Sequence, residues 1–79
     1  MRIVAEASHP DFKITIFVWN QKYLIKLEQP GLEQTFKVNE LDVNSDDVLA
    51  LVRNEAFATS ARQRFDEMRA SLKQALPQS

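Results

Sequence analysis

Phe12-Lys13-Ile14-Thr15-Ile16-Phe17-Val18-Trp19-Asn20-Gln21-Lys22-Tyr23-Leu24-Ile25-Lys26-Leu27-Glu28 is the stretch on which the fold turns. Apolar and polar residues alternate on both sides of Asn20-Gln21, and β-branched and aromatic side chains dominate, as strands require. Closing Asn20-Gln21 as a two-residue hairpin loop sets Val18 opposite Tyr23, Ile16 opposite Ile25 and Ile14 opposite Leu27. On the other face Phe17 meets Leu24, Trp19 meets Lys22, Thr15 meets Lys26 and Lys13 meets Glu28. Apolar residues pair with apolar ones, and Lys with Glu. A slip of one residue would mix the two faces, so the register is strongly specified.

Moving outward, Gln29-Pro30-Gly31-Leu32 signals a second turn, with Pro suited to the first central position and Gly to a positive φ. A Pro-Gly turn twists the wrong way for the tightest hairpin, which leaves room for a wider loop. Two- and four-residue closures give the same pairing: Ile25 opposite Phe36, Tyr23 opposite Val38 and Leu27 opposite Gln34. Strands are therefore expected near 12–19, 23–28 and 33–38, a three-stranded antiparallel meander. Before them, Ile3, Ala5 and Ala7 alternate, but Ser8-His9-Pro10-Asp11 breaks the pattern. Residues 1–11 read as an N-terminal arm, a short edge strand or a loose terminus.

After the strands, Asn44-Ser45-Asp46-Asp47 offers a capping residue and two first-turn acids, the signature of a helix start. Ser60-Ala61-Arg62-Gln63 offers a second start of capping-box type, leading into Phe65, Met68, Leu72 and Leu76 on one helical face. No Gly or Pro interrupts 46–76, yet the apolar direction of the first half lies about 160° from that of the second. A single straight helix cannot aim both stripes at one sheet. A break near 57–60 is expected, placing Phe57 at the junction, with Pro77 at or just past the end. The fold class is thus α+β: a meander with two C-terminal helices, within 45–76, packed on one sheet face. The expected core is Phe12, Ile14, Ile16, Val18, Tyr23, Ile25, Leu27, Phe36, Val38, Val48, Val52, Phe65, Met68 and Leu72.

Seventy-nine residues make one domain with a small core. The absence of Cys removes disulfides and thiolate metal sites, fits a reducing compartment, and leaves self-association as the leading way to add buried area. No secretory signal and no apolar run of membrane-spanning length is visible, so a soluble, cytoplasmic protein without membrane contact is expected. The net charge of −1 argues against strong, sequence-independent polyanion binding. Five Lys/Arg and eight Asp/Glu fall in 1–52, five and three in 53–79, so the chain is mildly polarised.

Chemistry-bearing groups are few. His9 is the one imidazole, in a weakly patterned segment, with no phosphate loop elsewhere. Asp42-Val43-Asn44-Ser45-Asp46 opens like a calcium loop, but Asp47 stands where the turn Gly belongs and Arg53 where the bidentate Glu belongs. Helix capping accounts for the same residues. No catalytic residues, cofactor or metal are expected. The helical charges, from Arg53 to Lys73, mix signs as a solvated face does.

One surface stands out. On the second sheet face Phe17, Trp19 and Leu24 interleave with Lys13, Lys22, Lys26 and Lys37, with Glu28 and Glu33 at one end. Lysine stems lying over aromatics, including Lys22 on Trp19, would make it an ordinary solvated face. Alternatively, two copies of the chain would bury it against each other. A third possibility is a single-stranded nucleic acid stacking bases on Phe17 and Trp19 while lysines track phosphates. The leading expectation is a non-enzymatic interaction domain working as a homo-oligomer through this face, with nucleic-acid binding as the alternative.

Overall fold

The structure, a computed structural model, describes residues 1–77. Four antiparallel strands, β1 (Arg2–Ser8), β2 (Lys13–Trp19), β3 (Lys22–Gln29) and β4 (Leu32–Asn39), form one open sheet in chain order. Helix α1 (Ser45–Leu49) runs into a 3-10 turn (Ala50–Arg53), and helix α2 (Glu55–Ala75) follows.

Both central registers are those dictated by side-chain parity. Val18 pairs with Tyr23 and Ile16 with Ile25, while Ile25 pairs with Phe36 and Leu27 with Gln34. Asn20 and Gln21 take φ of 53° and 63°, which lets a two-residue loop match the twist of its strands. The second loop is also tight: β3 ends at Gln29, β4 starts at Leu32, and Gly31 alone supplies the positive φ, at 80°.

The α+β class holds, but the meander has a fourth strand. Ser8-His9-Pro10-Asp11 reverses the chain rather than ending its order, with the His9 N–H donating to the Phe12 carbonyl at 2.8 Å. β1 then pairs along β2, with a bulge between Ile3 and Ala5. The bulge changes the parity of the strand. Ala5 and Ala7 stand opposite Ile16 and Ile14 on the core face, whereas Ile3 stands opposite Phe17 on the other.

The helical break falls at Asn54, earlier than the expected 57–60. Asn44 caps α1, its side chain accepting from the Asp46 N–H, and Asn54 caps α2 by accepting from the Phe57 N–H at 2.9 Å. Ser60 therefore lies inside α2, exposed, and its capping-box pattern goes unused. From Glu55 onward the helix keeps one phase, and its stripe reaches back through Ala61 and Ala58. Both are buried, and their small size lets the helix lie close on the sheet.

The core consists of Phe12, Ile14, Ile16, Tyr23, Ile25, Leu27, Val48, Ala58, Ala61 and Phe65. Val18, Val38, Val52 and Met68 are half-buried against it. Two expected core residues lie outside. Phe36, on the edge strand β4, is 38 % exposed and lies 5.7 Å from the half-buried Phe57, with the Arg64 guanidinium over its ring. Leu72 is 50 % exposed. A buried polar joint replaces apolar contact beside β4: Gln34 donates to the Ala61 carbonyl at 3.0 Å and accepts from Arg64 Nε at 2.7 Å.

Three substitutions test this description. Asn54→Ala should lower stability by about 1 kcal/mol, whereas Ser60→Ala should leave it unchanged or slightly raised, as read from urea midpoints. Gln21→Gly should raise stability by about 0.5–1 kcal/mol, read from the same midpoints, by removing a side chain from the left-handed region.

Candidate functional site

The helices cover one face of the sheet and leave the other open. Antiparallel partners share a face, so the registers assign every strand residue. The open face carries Ile3, Glu6 and Ser8 from β1, Lys13, Thr15, Phe17 and Trp19 from β2, Lys22, Leu24, Lys26 and Glu28 from β3, and Glu33, Thr35, Lys37 and Asn39 from β4. All seven residues singled out from the sequence therefore share one surface.

They do not behave alike. At the Glu6 end, Lys13 Nζ lies 3.8 Å from Glu6, and farther across, Lys26 Nζ lies 3.5 Å from Glu33. Both pairs are diagonal cross-strand neighbours, close enough for long side chains to meet. Thr35 steadies the second by donating its hydroxyl to the other Glu33 oxygen at 3.2 Å. Thr15, between these pairs, is 4 % exposed, roofed by its longer neighbours. This part of the face is covered by its own paired charges.

The other part is apolar. Phe17 and Leu24 pair directly, are half-buried, and line a recess of about 210 Å³ together with Met1, Lys26 and Thr35. Around it Trp19 is 54 %, Ile3 53 % and Met1 74 % exposed. Lys22 stands opposite Trp19, and Lys37 opposite Leu24. Neither lysine joins an ion pair among the described residues. The cation–aromatic contacts lie elsewhere: Arg62 sits over Phe12 and Arg64 over Phe36, with no such contact between Lys22 and Trp19 among the described residues.

Sequence reasoning missed Ile3 and Met1, which enlarge the patch, and Glu6, which neutralises Lys13. The alternation of Ile3, Ala5 and Ala7 assigned them one face, and the bulge at Val4 overturns that assignment. Elsewhere, His9 is part of the scaffold. Its Nε2–H donates to the Val52 carbonyl at 3.0 Å, and its ring stacks on Phe12 at 4.7 Å. Asn44, from the calcium-loop-like segment, spends its side chain on the α1 cap. Among the described residues no three His, Asp or Glu side chains converge on a metal-sized site, and no helix is long and apolar enough to cross a membrane.

The face assignment makes a contrast in stability. Measured at concentrations that keep the chain dilute, Trp19→Ser should shift unfolding by no more than about 0.5 kcal/mol. Ile16→Ala, on the covered face of the same strand, should cost about 2–5 kcal/mol. Comparison of the chain with protein-family models, curated proteins and solved structures found no match.

Proposed function

We propose that this chain is a non-catalytic interaction domain that self-associates through the open sheet face. The observation that carries the reading is the arrangement of that face: exposed Ile3 and Trp19 border half-buried Phe17 and Leu24, while Lys13 and Lys26 are already paired with acids of the same surface. An apolar patch of which two of the four lysines are already paired can meet its own copy across a two-fold axis, provided the axis keeps Lys22 and Lys37 of the two copies apart. Apolar burial supplies the driving force, and a small domain gains most from it. The non-catalytic part rests on His9, the one imidazole, whose Nε2 and ring are both engaged in structural contacts.

Lys22 and Lys37, which join no ion pair among the described residues and lie near the exposed Trp19, favour a second reading in which a single-stranded nucleic acid stacks on Trp19. Two of the four lysines on the face are neutralised, which weakens it.

Light scattering decides between them. The wild type should show a multiple of 9.1 kDa, and Phe17→Ser/Trp19→Ser should shift the mass toward one chain, with Trp19 emission of the wild type moving to longer wavelength on dilution. A monomeric wild type, or a mass unmoved by the double substitution, refutes self-association through this face. Quenching of Trp19 by an oligonucleotide, lost as salt rises, would establish the second reading instead.

A further inference from the structure

A second surface lies on the helical side, at the far end of α2. The buried stripe of that helix becomes exposed toward its C-terminal end: Phe65 is fully buried, Met68 half-buried, Leu72 50 % and Leu76 53 % exposed. Residues 69–76 carry Arg69 and Lys73 and no acid. Arg69 is engaged by Asp66, at 3.2 Å, and by Gln29; Lys73 joins no ion pair among the described residues. Leu72 lines one side of an open groove of about 600 Å³ with Leu32, Gln34 and Met68, and Leu76 stands exposed beyond it, one turn from Lys73.

The opposite end of the molecule carries the complement. Beside α1 a groove of about 370 Å³ is floored by Val38, Val43 and Leu51 and rimmed by Asp42 and Asp47. Residues 40–47 hold four acids and no Lys or Arg, and none of those acids forms an ion pair among the described residues. Nearby Leu41 is 87 % exposed. The volume is in the lower range of cavities that accept ligand groups.

A chain cannot fill its own groove with its own tail. α2 begins where the 3-10 turn flanking the groove ends, and its 21 residues carry the tail about 31 Å away. A second copy can. Two α2 helices set antiparallel bring each tail to the start of the other helix, beside the other groove. Such a pair closes both contacts at once, whereas a one-way contact would leave an open chain. Once one contact forms, the second is intramolecular.

We propose that the C-terminal end of α2, through Leu72, Leu76 and Lys73, seats in the Asp42/Asp47-rimmed groove of a second copy, so that two chains clasp reciprocally. This contact uses none of the open-face residues and stands or falls independently of the sheet-face contact.

The chain has no cysteine, so single Cys variants report neighbours cleanly. Leu76→Cys and Leu41→Cys, each also made in the Phe17→Ser/Trp19→Ser background and checked for folding by circular dichroism, are mixed and oxidised. A disulfide joining the two species should form several-fold faster than between Leu76→Cys and Ser8→Cys. Adding Lys73→Glu to the Leu76→Cys chain should slow the link about tenfold, and Asp42→Lys/Asp47→Lys in the other chain should restore it. Raising salt from about 0.05 to about 0.5 M should slow the wild-type link as well. A link no faster than the control, or charge reversals without slowing and rescue, overturns the proposal. Survival of the link in the open-face variant, with self-association otherwise reduced, separates this contact from the sheet-face one.

Discussion

The pairing of Val18 with Tyr23 across Asn20-Gln21 is the constraint on which the other contacts depend. Positive φ at both loop residues holds the two strands at the twist that a two-residue connection needs. Once that register is set, Ile14, Ile16, Ile25 and Leu27 fall under the helices, and Phe17, Trp19 and Leu24 fall on the outside. The consequence passes to β4. Leu27 opposes Gln34, so a polar side chain arrives beneath α2, where its amide meets the Ala61 carbonyl and its oxygen takes the Arg64 Nε–H. A buried amide without those partners would cost about 1–3 kcal/mol, so the sheet register and the seat of α2 stabilise one another.

A sheet with apolar residues on both faces has one helical layer to cover it. The covered face takes the small residues Ala58 and Ala61 and the large Phe65, all of them buried. Toward the C-terminal end of the helix, the same stripe that is buried at Phe65 is half in water at Leu72 and Leu76. Long side chains shield part of the uncovered face, Thr15 among them, but the Trp19 end has no comparable roof. A domain of this size buries a smaller share of its surface than a large one, and apolar area left at two separate places is area another chain can still bury.

Much of this was legible because a period of two is a local property. The alternation from Phe12 to Val38 was enough to sort the lysines and aromatics into faces, and Phe17, Trp19, Leu24 and the four lysines do share one surface. What failed was set by single residues or by the limits of the sheet. The bulge at Val4 cannot be inferred from alternation, so β1 was ambiguous and Ile3 and Glu6 were absent from the site. Without Glu6, Lys13 looked free. The phase mismatch correctly required a break between the helices, but Ser60 and Asn54 both resemble caps, and only the accepted bond from the Phe57 N–H distinguishes them. Phe36 and Leu72 have core-like spacing, yet Phe36 lies on an edge strand with Phe57 and Arg64 against one side of it, and Leu72 lies near the end of α2, where it is half exposed.

The two uncovered surfaces differ in the force each can use. On the sheet face acids stand beside Lys13 and Lys26, while Lys22 and Lys37 join no ion pair among the described residues, so the proposed association there would draw mainly on apolar burial. At the poles the acids of 40–47 and Lys73 join no ion pair among the described residues, so the proposed association there would draw on opposite charge as well as on Leu72 and Leu76. Such attraction between exposed groups fades over a Debye length of about 8 Å at physiological ionic strength. Ionic strength would therefore weaken the proposed contact at the poles through its opposite charges and act on the sheet face only through Lys22 and Lys37. Because binding to the folded state alone adds to its stability by mass action, the midpoint of unfolding should rise with protein concentration at any salt through the sheet face, and more steeply at low salt when the poles also engage.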